Sequence, residues 1–447
     1  MDNKTGKREV IHGVSAEIAD NFFKRAKGLI GRNGLNPGEG MLIPKCNAIH
    51  TFFMRFPIDA TFLSANGDIV KTVRDIRPGN PMVFGGWRAA KVLETQSAAS
   101  YAHELIRQHI SSGLYAGIVA ANADGGPVIA EGEQCIYVKG RPMTERSVCD
   151  LASVGKTFTS SLCALLYADG KLDPDAPFTE YLTEHVLAKE NCDITVRDLA
   201  THSGGFDNSK PYLVPDEAEF EEKLWTKRPV RRRGEQFEYA CSNFIYLGRI
   251  VEKLTGTDLD TAARRMLWGP LGMTHTTWNP VEDDGNVIEF PEGSYSGYPQ
   301  RRKIGDHNDL SCYYSKRPIG NGSSFSTVGD LRLFTSDLLH RRTFKKEYYD
   351  LLFTPCFEQN GIRRTFGWDM AAPDSPTCMT REMGFTEQAI GHSGWTGPAL
   401  VVDPGLGNAA VFLGNKTGEY TESKIGRMTV LAKLCLTPAP RSLQPGN

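Results

Sequence analysis

The chain has 447 residues, of which 40% are hydrophobic and 23% are charged, with a formal net charge of −2 at pH 7. This length exceeds what one hydrophobic core usually supports, so two domains are expected. The nearly neutral balance gives no general attraction for phosphate backbones, which argues against nucleic acid as a partner. The basic run from Lys227 to Arg233 is interpreted as a solvated loop.

Export and membrane signals are not evident in the sequence. Residues 1–8 are polar and lead into a mixed segment without the apolar core of a signal peptide, and no stretch is long enough to span a bilayer. We therefore expect a cytoplasmic protein with no membrane partner. The ten cysteines stand singly, without a Cys-x-x-Cys pair, so neither a disulfide framework nor a zinc site is predicted, and no metal or cofactor is expected.

Residues 1–97 have the character of a small β-rich domain. Short strand-like runs, such as Met41–Ile43 and Asp68–Val73, are separated by Asn-Gly and Pro-Gly turn signals. Cys46 and His50 are metal-ligating residue types in this region, but two ligands without partners do not make a site.

Residues 98–447 change to an α+β pattern. Apolar residues at helical spacing predict a helix over residues 101–110, and a hairpin begins with the strand-like run Tyr115–Ala121. Strand character returns at Ala399–Asp403 and Ala409–Asn415, before a last helix. Strands from both ends of the domain, with helical material between them, predict one sheet assembled from both termini and an inserted helical subdomain.

The segment Ser153-Val154-Gly155-Lys156 opens a helical stretch and brings a hydroxyl and an amine onto one helix face. A neutral lysine amine can accept the serine proton, and burial lowers the pKa of a lysine toward the working range. The helix N-terminus also favours a developing oxyanion. Because Ser-x-x-Lys also occurs by accident, the prediction depends on the segments that follow.

The segment that holds Ser153 and Lys156 resembles the serine β-lactamase and DD-peptidase superfamily, especially its class C β-lactamase and esterase branch. Further segments resemble that superfamily in the same order along residues 98–447. They are Ile194–Phe206, Arg233–Gly248, Gly269–Thr276, Gly320–Leu331 and Gly391–Trp395. The resemblance implies a β-lactamase/transpeptidase-like fold, in which an antiparallel sheet is flanked by helices and joined to a helical subdomain.

The resemblance implies roles for individual residues. Ser153 would be the nucleophile and Lys156 its activating base. Tyr239 would shuttle a proton between Ser153 and the leaving group. His392 would lie on an edge strand and hydrogen-bond toward Tyr239 or the substrate. The backbone N–H groups of Ser153 and Trp395 would form the oxyanion hole.

The resemblance also places Cys241, Asn243, Ser393 and Gly394 beside the substrate. Antibiotic-hydrolysing members have Tyr-x-Asn where this chain has Tyr-Ala-Cys ending at Cys241, with the next asparagine at Asn243. The loss of that amide, together with the missing export signal, predicts that the target is a cellular ester or amide and not a β-lactam. The later run Lys416-Thr417-Gly418 copies the family's third motif, but it follows the next strand and is interpreted as a turn.

The N-terminal domain resembles the small DUF192 family over roughly residues 10–96. The similar segments are Arg25–Arg32, Gly40–Leu42 and Phe53–Phe62. No biochemical role follows from this resemblance.

Three functions remain open for the larger domain. The leading hypothesis is a serine hydrolase that acts through an acyl-Ser153 intermediate on an ester or amide of a small metabolite or peptide. The second is a transacylase of a natural-product pathway that uses the same residues. The third is a non-catalytic binding or scaffold protein. The sequence does not predict an oligomeric state.

Overall fold

The computed structural model of the chain describes residues 7–12, 14–36, 39–125, 128–134, 140–279, 305–315, 317–322 and 324–436. It has two compact units, of which the first extends to Leu105 and the second runs from Ile106 to Cys435. The division between the two units falls after Leu105, inside a continuous helix over Ala98–Ser111. The domain boundary expected after residue 97 therefore stays a prediction.

The first unit is β-rich, as its sequence predicts. Its main sheet has the order β1-β2-β3-β8-β5-β6, and β4 pairs with β7 in a separate two-stranded ribbon. Along β5 the buried positions Ile58, Ala60 and Phe62 alternate with half-buried ones, which is typical of a sheet with one face on a core. The elements are β1 (Arg8–Ile11), β2 (Val14–Ile18), α1 (Phe22–Lys27), β3 (Glu39–Pro44), β4 (Ala48–Ile49), β5 (Ile58–Leu63), β6 (Ile69–Ile76), β7 (Val83–Phe84), β8 (Lys91–Gln96) and α2 (Ala98–Ser111).

The second unit is an α+β domain. Its helices are α3 (Lys156–Ala168), α4 (Phe178–Tyr181), α5 (Val196–Thr201), α6 (Glu217–Thr226), α7 (Cys241–Thr255), α8 (Leu259–Ala263), α9 (Gly269–Leu271), α10 (Leu310–Ser315), α11 (Val328–His340), α12 (Lys346–Phe353) and α13 (Tyr420–Cys435). Its strands are β9 (Tyr115–Asn122), β10 (Ile129–Gly132), β11 (Cys149–Asp150), β12 (Phe325–Ser326), β13 (Phe357–Gln359), β14 (Ile362–Arg364), β15 (Asp369–Met370), β16 (Ile390–Ser393), β17 (Ala399–Asp403) and β18 (Asn408–Lys416). Single turns of 3-10 helix occur at Ala152–Gly155 and Val186–Lys189, and a π turn at Arg264–Trp268.

The sheet of this unit is built from both ends of the domain, as predicted. Its order is β10-β9-β18-β17-β16-β15-β14-β13, with antiparallel pairing throughout. The C-terminal β18 pairs with the N-terminal β9, so that Leu413 lies opposite Val119. Helices α11 and α13 both pack on β18. Every residue of β18 is buried, which explains its nearly continuous apolar sequence.

The strand that carries His392 is not an edge strand, and that expectation from the sequence is wrong. Strand β16 lies between β17 and β15 in the sheet. The two-residue strand β15 pairs with Ile390 and Gly391, whereas His392 and Ser393 pair with β17 alone. The short length of β15 thus leaves one side of His392 free of strand pairing, although the strand itself is interior.

Two buried helices direct their N-terminal ends toward the predicted site residues. Helix α3 begins at Lys156 and is buried as far as Leu166, and α7 is buried from Cys241 to Val251. The two helices pack against each other. The first turn of each helix is therefore held in place by a long, fully packed body.

Candidate active site

Ser153 lies in a tight turn between β11 and α3. The preceding residue, Ala152, has φ +43°, a left-handed conformation that is costly for a residue with a side chain. Its N–H donates to Oδ1 of Asp150 at 2.7 Å. A Cβ on Gly322 would lie 2.3 Å from the Ala152 carbonyl oxygen, so only glycine fits there. The turn is therefore strained and held by close backbone contacts.

The structure brings Ser153, Lys156 and Tyr239 together. The Tyr239 hydroxyl donates to Ser153 Oγ at 2.8 Å, and Lys156 Nζ lies 3.3 Å from the same oxygen. Lys156 is fully buried, and its ammonium also donates to the carbonyl oxygen of Asn321. The same nitrogen lies 5.0 Å from the centre of the Tyr239 ring. A serine hydroxyl in contact with a phenol and a lysine nitrogen has neighbours that can accept its proton or stabilise the resulting charge, as an acyl-transfer nucleophile requires.

The charges of the pair differ from the sequence-based expectation. Burial acts to lower the pKa of Lys156, but the neighbouring Cys241, Tyr239 and Asp309 outweigh it, and the net pKa is raised. Burial raises the pKa of Tyr239 against the opposing effect of Lys156. The resting pair is therefore a lysine ammonium and a neutral phenol, not the neutral amine that was expected.

His392 lies near this cluster as a neutral imidazole. Burial and the nearby Lys156 and Arg364 hold the pKa of His392 well below its usual range. Its Nδ1 lies 3.1 Å from the Ser393 carbonyl oxygen, which can only accept, so the proton is on Nδ1. Its Nε2 is buried and has no hydrogen-bond partner within the described part of the chain. The predicted bond to Tyr239 is not formed.

Gly394 brings the end of β16 onto the Ser153 turn. A Cβ on Gly394 would lie 2.5 Å from the Leu151 carbonyl oxygen and 3.2 Å from Ala152 Cβ. The carbonyl oxygen of Gly394 accepts from Nη1 of the buried Arg427 at 2.9 Å. This contact fixes the next residue, Trp395, beside the turn that carries the serine.

The ring of Trp395 is packed against the side chains of Tyr420 and Lys416. It stacks on Tyr420 with ring centroids 4.5 Å apart, and Lys416 Nζ lies 4.5 Å from the Trp395 ring centre. Lys416 is the last residue of β18, and Thr417 and Gly418 follow outside the strand with a bend at Gly418. The turn predicted over Lys416–Gly418 is therefore wrong for Lys416, which belongs to the strand. Lys416, the first residue of the run that copies the family's third motif, therefore stabilises the Trp395 ring through a cation–π contact.

Cys241 and Asn243 lie in the first turn of α7, and both are buried. The N–H of Cys241 donates to Oδ1 of Asn208 at 3.1 Å. The amide of Asn243 lies 3.1 Å from Nδ1 of His202, and its side chain is fully buried. In this structure the amide of Asn243 serves an internal contact, and its substrate-binding role stays a prediction.

His202 is the neighbour that sequence reasoning missed. It is buried, and its ring lies 4.5 Å from that of Tyr239. Its Nδ1 accepts from the Ala240 N–H at 3.3 Å and from the Asn243 amide. Burial, with Arg364 next in effect, holds the pKa of His202 well below its usual range, so the ring is neutral. His202 belongs to the segment Ile194–Phe206, which resembles the superfamily, and this resemblance could have indicated a position at the site. No role was assigned to that segment from the sequence.

Arg364 is a second unpredicted neighbour. It is buried on β14, where its guanidinium pairs with Asp369 on β15. Burial lowers the pKa of Arg364 to about 10. Its charge contributes to the lowered pKa of both His202 and His392. Burial, together with the charges of Arg364 and Lys156, thus lowers the pKa of both histidines and keeps them neutral.

Within the described ranges, no group of three or more His, Cys, Asp or Glu side chains is arranged to hold a metal ion. Among the same residues, no helix is long and apolar enough to cross a membrane.

Two protein-family models match the chain. The Beta-lactamase family model matches residues 102–433. The chain belongs to the β-lactamase family. The DUF192 model, described as an uncharacterized ACR family, matches residues 3–107 of this β-lactamase-like protein. Both family resemblances predicted from the sequence are confirmed.

Curated relatives of this β-lactamase-like chain include a putative D-alanyl-D-alanine carboxypeptidase of Escherichia coli K12. It is 28% identical over 313 residues, which cover 61% of this chain and 70% of the relative. An N-acetylmuramyl-L-alanine amidase of Bacillus subtilis 168 is 27% identical over 309 residues, covering 61% and 69%.

Solved structures share the fold. EstCE1, a hydrolase with promiscuous acyltransferase activity, has a TM-score of 0.63 at 18% identity and covers 76% of this chain and 98% of its own. A class C β-lactamase has a TM-score of 0.60 at 19% identity, covering 75% and 97%. The predicted fold, an α+β β-lactamase type preceded by a β-rich domain, is confirmed.

Proposed function

We propose that this chain is a serine hydrolase that cleaves an ester or amide through an acyl-Ser153 intermediate. Membership of the β-lactamase family establishes the acyl-transfer class. The proposal of an acyl-Ser153 intermediate rests on the position of Ser153 Oγ. This oxygen lies 2.8 Å from the Tyr239 hydroxyl and 3.3 Å from Lys156 Nζ.

The reaction requires the Lys156–Tyr239 pair to lose one proton before it begins. The Tyr239 phenol releases its proton to solvent, and the Lys156 ammonium stabilises the resulting phenolate at short range. The phenolate then takes the Ser153 hydroxyl proton as Oγ bonds to the substrate carbonyl carbon. In this proposal Tyr239 is the base, and Lys156 acts through its charge.

In the remaining steps Tyr239 passes its proton to the leaving group, and water later supplies the proton that restores the Ser153 hydroxyl. The carbonyl oxygen becomes an oxyanion, which accepts from the backbone N–H groups of Ser153 and Trp395. The bond to the leaving group breaks, and the leaving group takes the proton from Tyr239. Water then gives a proton to Tyr239 as it attacks the acyl carbon, and the regenerated phenol protonates Ser153 Oγ as the acid departs.

The substrate class is proposed from the site and from the relatives. The amide that antibiotic-hydrolysing members place near the catalytic tyrosine is replaced by Cys241, whose side chain offers no comparable pair of hydrogen bonds. Curated relatives are named a carboxypeptidase and an amidase. Peptide amides and simple esters are therefore the first substrates to test, with β-lactams as the comparison.

The test is hydrolysis of p-nitrophenyl acetate and of a peptide amide by the full chain. We expect turnover that Ser153→Ala abolishes and Ser160→Ala retains. Ser160 is a matched control, because it is a buried serine on α3 whose hydroxyl donates to the Lys156 carbonyl oxygen within the helix. Equal turnover by native protein and Ser153→Ala would overturn the proposal. An added amine or alcohol that diverts most of the acyl group would favour the transacylase.

A further inference from the structure

The first unit exposes a set of large apolar side chains, which we call the apolar rim. Its members are Phe52, Phe53, Met82 and Trp87, with 42%, 84%, 69% and 89% of their surface exposed. Single exposed apolar residues are ordinary on protein surfaces, but a group of them on neighbouring segments marks an interaction site.

Hydrogen bonds hold the segments of the apolar rim side by side. Strand β4 pairs with β7, and Ala48 lies opposite Phe84, whose ring contacts Trp87 at 5.1 Å between centroids. Thr51 donates its N–H to the Asn80 carbonyl oxygen at 2.9 Å, which joins the loop of Phe52 and Phe53 to that of Met82.

The loop tip is held in a costly conformation. Phe53 has φ +63°, a left-handed value that is uncommon for a bulky side chain, and 84% of its surface is exposed. The buried neighbours Thr51 and Met54 anchor the loop on both sides of the tip. Packing of the first unit gains little from so exposed a phenylalanine, so the strain indicates a contact outside the unit.

Charge is divided unevenly along the chain. Residues 1–97 carry 14 Lys and Arg against 9 Asp and Glu, whereas residues 98–447 carry 37 against 44. Arg77 and Arg88 border the apolar rim in sequence, and both are exposed. In the described residues neither arginine forms an ion pair with a carboxylate. The rim therefore combines protruding aromatic groups with uncompensated positive charge.

We propose that the apolar rim binds the surface of an anionic lipid bilayer. Phe53, Met82 and Trp87 would enter the interfacial layer, where aromatic side chains are favoured, and Arg77 and Arg88 would pair with lipid phosphates. A bilayer suits this surface better than a protein does, because the side chains project with most of their area exposed. This proposal departs from the sequence-based prediction of no membrane partner, which depended on the lack of a spanning segment or export signal, because the proposed contact is peripheral.

The test is co-sedimentation of the full chain with vesicles. We expect binding to vesicles of phosphatidylcholine and phosphatidylglycerol at 7:3, and weak binding to phosphatidylcholine alone. The double variant Phe53→Ser/Trp87→Ser should lose about tenfold or more in affinity. Arg77→Gln/Arg88→Gln should lose about fivefold per charge, an effect that added salt mimics.

Matched variants identify the surface. Phe23 on α1 is 82% exposed, so Phe23→Ser removes an equally exposed ring from another element of the same unit. Arg265→Gln/Arg342→Gln removes two exposed arginines of the second unit. Both controls should bind vesicles as the native protein does. An equal loss in either control, or no vesicle binding by the native chain, would overturn the proposal. A dimer that the rim variants dissociate, without vesicle binding, would assign the rim to a second copy.

Discussion

The imidazole of His202 lies against the phenol ring of Tyr239, with ring centroids 4.5 Å apart. Two donors fix the orientation of the imidazole, the Ala240 N–H at 3.3 Å and the Asn243 amide at 3.1 Å. Because Ala240 follows Tyr239 directly, one histidine supports both the ring and the backbone of the proposed base. We therefore assign His202 as a positioning residue.

Substitution of His202 tests this assignment. His202→Phe keeps a ring beside Tyr239 but removes the acceptor, leaving the Ala240 N–H and the Asn243 amide unpaired at a cost of about 1–3 kcal/mol each. We expect kcat to fall about tenfold with a small change in KM, and the pH profile to shift. Steady-state kinetics across pH measures both effects.

His185 provides a control for that experiment. It is also fully buried, its Nε2 lies 3.2 Å from the Tyr246 hydroxyl, and its Nδ1 accepts the Leu187 N–H. His185→Phe should lower the melting temperature while leaving the pH profile unchanged. A shift of the profile in both variants would show that general loosening, and not the contact with Tyr239, controls the base.

The pH dependence of the reaction follows from the raised pKa of Lys156 and of Tyr239. In the resting pair Tyr239 still carries the proton that it must lose before it can act as the base. The ratio kcat/KM should therefore rise with pH from neutral into the alkaline range. Tyr239→Phe should remove this rise of kcat/KM with pH together with most of the activity. A rate that falls as pH increases above neutral would contradict the assigned protonation states.

Gly394→Ala tests the link between β16 and the serine turn. The added Cβ would meet the Leu151 carbonyl oxygen at 2.5 Å, which is too close, so the backbone before Trp395 must shift relative to the Ser153 turn. We expect this shift to displace the Trp395 N–H from the oxyanion hole. Loss of one oxyanion donor costs about 100-fold to 1,000-fold in kcat. Gly329→Ala is the control, because the nearest atom to its new Cβ is 3.7 Å away. Equal kinetics of the two variants would refute the proposed role of this contact.

Glu94 on β8 makes the first unit sensitive to pH. Burial raises the pKa of this carboxyl from 4.5 to about 7, and its Oε2 has no hydrogen-bond partner among the residues described. The folded state therefore keeps a proton that the unfolded state releases. Its stabilising contribution is complete below about pH 4.5 and is lost as pH rises to about 7, a change of about 3 kcal/mol.

Glu94→Gln should remove this dependence and stabilise the first unit above pH 7. Hydrogen exchange of the β8 amides in the full chain measures the effect. Glu9→Gln, at an exposed position on β1, should change nothing. Unchanged protection of β8 in Glu94→Gln at alkaline pH would refute the proposed cost of burying this carboxylate.

The fold was accessible from the sequence because its signals are local. The apolar runs of β9, β17 and β18 and the turn between the last two predicted a sheet built from both termini, and the register of Leu413 with Val119 agrees. The spacing of Ser153 and Lys156 predicted their contact, since both lie where one turn passes into one helix.

The electrostatic environment was not accessible, because it depends on residues distant in sequence. Cys241, Tyr239 and Asp309 together reverse the effect of burial on the pKa of Lys156, and no sequence pattern indicated Asp309. His392 was assigned to an edge strand from the resemblance, and the two-residue β15 that makes β16 an interior strand has no sequence pattern of its own. His202 and Arg364 reach the site through folding of separate segments.

The most direct test of the central claim is the site of covalent modification by a fluorophosphonate probe. The native chain is labelled, digested and sequenced by mass spectrometry, with Ser153→Ala and Ser160→Ala in parallel. The account predicts one adduct on Ser153, present in Ser160→Ala and absent from Ser153→Ala. An unlabelled native chain, or an adduct that persists in Ser153→Ala, would contradict it.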